Sequence, residues 1–321
     1  MIEKKEIQYE NFGRCLELSN GIIRIVVTLD FGPRILCYSF VDGENLFFED
    51  RERVFAERSA DMDAAYGKGA AWLIYGGHRL WIAPEDFPGT YYPDNDPVRY
   101  ELTDCGAVFT PPMQTRNRCQ FVTEVTLCEQ SSRVTVCHTI QNCGSQPITL
   151  APWAISVMAP GGTEIVPQPG KKTGATPNRI FTLWDYADMT DPRFAWLHRY
   201  MVLQQDPSAD GKFKFGINAQ DGYSLYFRKG DLFIKQFPVE EDGIYPDHGM
   251  SFETYTNPLF LEIESLGQLQ TLAPENRLTH TETWSLHKED LPVLCDESID
   301  SVIQKYFPSA AGSCQEHPQE D

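Results

Sequence analysis

The chain has 321 residues, 41% of them hydrophobic and 23% charged, a balance suited to a soluble globular protein of one large β domain or two smaller ones. Its 27 basic and 46 acidic residues leave a formal net charge of −19, which repels both a nucleic-acid backbone and an anionic membrane surface, so neither is expected as a partner. The nine cysteines form no C-x-x-C pair and the first residues hold no apolar h-region, so reduced thiols in a cytoplasmic protein are expected.

Taken in chain order, the elements read mostly as short strands. Gly21–Thr28 is β-branched, and Ile35–Phe40 follows after Phe31-Gly-Pro-Arg34, with Asp42-Gly43 as a hairpin turn. Charged, Ala-containing Glu49–Asp63 reads as a weakly amphipathic helix. Further strand patterns run over Phe121–Leu127, Arg133–Ile140, Thr149–Met158, Tyr223–Phe227, Leu232–Phe237, Ser251–Thr256, Leu259–Glu264 and Thr279–Leu286, each bounded by Gly, Pro, Asn or Asp. Asp296–Phe307 carries Ile299, Val302, Ile303 and Tyr306 at helical spacing ahead of Pro308. Residues 308–321 are small, polar and acidic, and read as a flexible tail after a single domain spanning 1–307. Strands this short and frequent predict an all-β antiparallel sandwich with a short C-terminal helix.

Chemistry concentrates in two places. In Ala71–Glu85 a Gly76-Gly77 pair precedes His78, Arg79, Trp81 and Glu85. Glycines there allow a tight turn or close approach to a ligand, the imidazole can exchange protons, and the guanidinium offers fixed donors to hydroxyls. The same residues could equally satisfy buried carbonyls at a sandwich corner. The second cluster holds Lys235 within Leu232–Phe237, Glu253 within Ser251–Tyr255, and Glu262 and Glu264 within Leu259–Glu264. Period two puts Glu262 and Glu264 on one face and Leu261 and Ile263 on the other, so both carboxylates either enter a polar cleft or face solvent. Lys235, in an apolar run, either reaches solvent or neutralises an inward carboxylate. No metal-ligand spacing, phosphate-binding loop, dinucleotide fingerprint or nucleophile elbow occurs, so no metal and no cofactor are expected.

Three segments come in a telling order. They are Gly76-Gly77-His78-Arg79-Leu80-Trp81, then Asn142-x4-Pro147-Ile148-x-Leu150-Ala151-Pro152-Trp153-Ala154, then Phe260-Leu261-Glu262-x-Glu264-Ser265-Leu266-Gly267, followed by Leu272-Ala273-Pro274 and Thr281-Glu282-Thr283-Trp284. Together they resemble the galactose mutarotase-like superfamily, in an uncharacterised bacterial group, over roughly Ile22 to His287. The resemblance implies a large antiparallel β-supersandwich whose concave face binds a small carbohydrate. In the related aldose 1-epimerases a late-strand Glu removes the anomeric proton and a His protonates the ring oxygen. Carried over, Glu262 is the expected base and His78 the expected acid, with Arg79, Trp153, Lys235, Glu264, Glu253 and Arg34 as substrate-binding residues. Where the epimerases carry a second His, this chain has Ala151-Pro152-Trp153-Ala154. An indole cannot deliver a proton, so the alternative is a sugar-binding or sensing protein without turnover.

Overall fold

The computed structural model describes residues 1–307, and two large antiparallel sheets dominate it. The first has 11 strands and passes, in spatial order, through Ile23–Thr28, Ile35–Phe40, Gly77–Ala83, Ile148–Met158, Leu261–Leu266, Phe252–Thr256 and Phe213–Ile217. The second has 10 strands, with Thr163–Pro167, Tyr223–Arg228, Asp231–Gln236, Arg277–Lys288, Val134–Asn142 and Cys119–Leu127 side by side. Their inner faces meet in one apolar cluster that includes Ile25, Tyr38, Phe215 and Ile263 from the first sheet and Val125, Val136, Phe233 and Trp284 from the second.

Burial along the strands shows how the layers are covered. Val134–Asn142 alternates strictly between buried and half-exposed positions, so along this strand the outer face of the second sheet meets water, whereas Ile165, Leu225 and Ile234 pack with Ile299, Val302 and Ile303 of the C-terminal segment. Gly77–Ala83 and most of Ile148–Met158 are buried on both faces. A second apolar cluster explains this: Met62 from the helix Ala60–Tyr66, Trp72 and Phe260 pack with Trp81, Trp153 and Leu266 on the outer side of the first sheet. Elements added over these central strands create a recess there.

The C-terminal helix spans Asp296–Tyr306 and buries Ile299, Val302 and Ile303, the stripe its spacing predicts. The other predicted helix is shorter than expected. Only Ala60–Tyr66 is helical, starting where the Ser59 side chain accepts a bond from the Met62 N–H, and residues before it extend into a two-residue strand, Ala56–Glu57. Residues 308–321, expected to form a flexible tail, lie outside the described residues. The eight cysteines among the described residues are free, and no described helix is long and apolar enough to cross a membrane.

Candidate functional site

The Gly76-Gly77 pair serves packing. Both have positive φ, and a Cβ would meet the Phe48 carbonyl oxygen at 2.0 Å from position 76 and that of Ile35 at 2.2 Å from position 77. The close approach that demands glycine is to neighbouring backbone. It seats the strand Gly77–Ala83 beside Ile35–Phe40 and Ile148–Met158.

From that strand, side chains leave in opposite directions. Arg79 and Trp81 project outward into a cleft of about 400 Å³, whose lining also includes Trp72, Trp153, Trp184, Tyr91, Tyr186, Tyr255, Lys212, Lys214, Glu262 and Glu264. Strand pairing builds it: Trp81 sits opposite Trp153, Arg79 opposite Ile155, Ile155 opposite Glu264, and Glu264 opposite Glu253. Arg79 Nη2 donates to Glu262 Oε1 at 3.0 Å, and its guanidinium lies 4.4 Å from the Trp81 ring centre and 5.2 Å from that of Trp72. Burial pulls the Arg79 pKa down, and Glu262 beside it acts in the opposite direction. Trp153 Nε1 donates to Glu264 Oε2 at 2.8 Å. Lys214 Nζ reaches the same oxygen at 3.1 Å and Glu253 Oε2 at 2.7 Å, under the rings of Trp153 and Trp184. Trp72, Trp81 and Trp153 are buried and form the floor, whereas Trp184, Tyr186, Tyr91 and Tyr255 are half-buried and rim the opening.

Arg79, Trp153, Glu262 and Glu264 thus meet in one place, with Glu253 behind them. Three expected site residues do not join them. His78 and Lys235 were expected in the cleft, but both lie between the sheets, His78 because it adjoins Arg79 on a strand and so faces the other way. His78 Nδ1 pairs with Ser156 Oγ at 2.9 Å and Nε2 with His138 Nε2 at 2.8 Å, with His138 Nδ1 3.2 Å from Thr123 Oγ1. Lys235 Nζ donates to the carbonyls of Ala154 and Ile263 and lies 2.8 Å from Glu282 Oε1. Of the two readings open for Lys235, neutralisation of an inward carboxylate is the one found, and the carboxylate is Glu282. Burial, reinforced by Lys235, holds the His78 pKa well below its usual range, and burial takes His138 down to about 3, so these imidazoles are neutral and sealed from any cleft ligand. Arg34 pairs with Asp94, its Nη2 3.0 Å from Oδ1, beside a separate small cavity next to Thr90 and Tyr92.

His78, His138 and Glu282 place ligating atoms within 4.8 Å of one another, the chemistry of a metal site. The Lys235 ammonium already compensates Glu282 there. A dication would add uncompensated charge to a dry interior, so the set fits a metal poorly.

Sequence reasoning passed over Lys214, Trp184, Tyr186 and Tyr255. Lys214 carried a weaker signal than Lys235: in Lys212-Phe-Lys-Phe-Gly-Ile217 it alternates with the apolar positions, as an ordinary outer-face lysine also would. Trp184 and Tyr186 come from a segment after the edge strand Phe181–Leu183, where no periodicity announces a site.

No protein-family model and no curated protein sequence matches this chain. Solved structures do. A candidate aldose 1-epimerase from Klebsiella pneumoniae aligns over 100% of this chain and 90% of its own, with TM-score 0.59 and 13% identity. A candidate mutarotase from Salmonella typhimurium aligns over 89% and 94%, with TM-score 0.55 and 11% identity. A galactose mutarotase-like protein from Clostridium acetobutylicum aligns over 90% and 98%, with TM-score 0.51 and 10% identity. Alignment along nearly the whole of each chain, at identities this low, establishes architecture: this protein has the galactose mutarotase-like fold.

Proposed function

We propose that the cleft binds a small, uncharged carbohydrate. The observation that carries this reading is the composition of the lining, where aromatic rings alternate with charged groups able to pair with hydroxyls. A pyranose presents apolar C–H faces edged by hydroxyls, and such a surface matches both features at once. Arg79, Lys212 and Lys214 stand against Glu85, Glu262 and Glu264. That balance selects against a strongly anionic ligand such as a sugar phosphate. The names of two similarly folded proteins, one a candidate aldose 1-epimerase and one a candidate mutarotase, support the same ligand class.

A second reading, anomeric isomerisation, is favoured by Glu262. Its carboxyl reaches the cleft, and an Arg79 donor fixes one oxygen while leaving the other available as a base. Among the described lining residues there is no imidazole, so the acid must differ from the one expected at His78.

A monosaccharide panel tests the first reading by thermal shift and calorimetry, because a ligand that binds only the native state raises its stability. Expected is at least one neutral hexose or pentose that stabilises the protein saturably. If no sugar shifts the melting transition at any concentration up to the solubility limit, the carbohydrate reading fails. Polarimetry on a freshly dissolved anomer then separates turnover from binding alone.

A further inference from the structure

Two carboxyls and one ammonium share a dry wall of the cleft. Glu253 and Glu264 are direct cross-strand partners and both are fully buried. Lys214 Nζ lies between them, 2.7 Å from Glu253 Oε2 and 3.1 Å from Glu264 Oε2, while the Oε1 atoms of both carboxyls lack partners. Fully ionised, this trio carries an excess negative charge, since one ammonium compensates one carboxylate. A proton on the pair removes the excess. Counting Glu253 with the lining residues, four carboxyls then face three cations, and one bound proton makes the cleft neutral.

We propose that Glu253, Lys214 and Glu264 form a proton-holding site, in which one proton shared by the two carboxyls makes Glu264 the proton donor of the cleft. Its use on a sugar rests on the function proposed above, whereas its existence does not. The groups facing it are Glu262 and Arg79 from the neighbouring cleft wall, Tyr186 and Lys212 near the rim, Tyr255 and Asp247 beside Glu253, and Glu164 and Lys235 from between the sheets. Burial pushes the Glu253 carboxyl up to about 8, with Lys214 opposing and Glu264 adding to the rise. Burial raises Glu264 as well, with Lys214 opposing. Burial disfavours the Lys214 ammonium, but Glu264 and Glu253 outweigh it and keep lysine charged.

Glu262 lies on the same strand face as Glu264, roughly 6.6 Å along it. On an aldopyranose, the Glu262 carboxylate would take the anomeric hydroxyl proton while Glu264 gives its proton to the ring oxygen. The bond from C1 to the ring oxygen breaks as the C1 carbonyl forms. Closure on the other face reverses both transfers and restores each carboxyl.

Trp153 reports on this site, because its indole N–H is bonded to Glu264. The experiment follows that N–H by NMR in protein carrying ¹⁵N-labelled tryptophan, assigned with Trp153→Phe, from pH 5 to 10 without sugar. Expected is one transition near the Glu253 value of about 8, with its midpoint lowered by about one pH unit or more in Glu253→Gln, where the like charge is gone. A Trp153 resonance that is flat across the range in the wild type, or a midpoint unmoved in a folded Glu253→Gln variant, overturns the proposal. A wild-type protein that shows the transition yet binds no monosaccharide supports the proton site while retiring the sugar reading.

Discussion

His78 and Arg79 are adjacent in the chain and serve opposite sides of one sheet: His78 Nε2 meets His138 Nε2 at 2.8 Å between the sheets, and Arg79 Nη2 meets Glu262 at 3.0 Å in the cleft. The strand Gly77–Ala83 therefore divides a polar core between the sheets from the cleft on the outer side. Substitutions at the two positions should fail in different ways.

On the core side, His78→Ala removes the partner of His138 and Ser156 and leaves a cavity. An orphaned buried polar group costs about 1–3 kcal/mol, with the lost packing added. Urea unfolding should show a loss of about 2–4 kcal/mol, while sugar binding by the protein that remains folded stays within about twofold of wild type. A large loss of sugar affinity without loss of stability would place His78 functionally in the cleft.

Lys235→Met tests the same core through charge. It leaves the buried Glu282 without its ammonium, although Ser265 and Trp284 still donate to it. Removing one member of a buried pair typically costs about 3–5 kcal/mol. The double variant Lys235→Met, Glu282→Gln should recover much of that loss, and equal instability in single and double variants would refute the pairing argument.

On the cleft side, Glu262→Gln keeps shape and one acceptor but removes the base. If turnover occurs, polarimetry should show anomer equilibration slowed about 10²–10⁴-fold with affinity nearly unchanged. Undiminished turnover would remove Glu262 from the chemistry.

Trp184 is half-buried at the rim, where truncation disturbs the core little. Trp184→Ala should weaken monosaccharide binding about tenfold, roughly 1.4 kcal/mol, by calorimetry, with the melting temperature close to wild type. Unchanged affinity would move the sugar away from this wall.

Glu164, between the sheets, is a second pH probe, linked to the cleft through the charge of Glu264. Ser224 donates to its Oε1 at 2.8 Å, Oε2 has no partner, and burial pushes its pKa from 4.5 to about 8. The folded state thus holds this proton more tightly than the unfolded chain. Below about 4.5 both states are protonated and the group is neutral to stability. Between 4.5 and about 8 the unfolded chain releases the proton first, so stability falls as pH rises, by a few kcal/mol in all. Glu164→Gln should lessen that fall, as measured by chemical denaturation at pH 5 and pH 8. A pH dependence identical to wild type would show that Glu164 does not retain its proton.

Period two and turn chemistry by themselves marked many of the strands, though Thr163–Pro167, Tyr200–Gln204 and Phe213–Ile217 went unread. Ile35–Phe40 is found with the predicted ends, and Glu262 and Glu264 do share a face. The order of the Gly-Gly-His-Arg, Pro-Trp-Ala and Glu-x-Glu segments also carried the fold family. What sequence alone could not determine was which face of each strand meets the other sheet, since Gly77–Ala83 is buried on both sides and alternation falls silent there. Tertiary structure made that choice: it sent His78 and Lys235 inward to His138 and Glu282, and it brought Lys214 and Trp184 to Glu264 from elements distant in the chain, with Tyr255 joining from the adjacent hairpin strand. The physical reason is pairing of buried charge. Lys214 and Lys235 each lie beside apolar neighbours in the sequence, and only the carboxylates that packing sets beside them separate a cleft residue from a core residue.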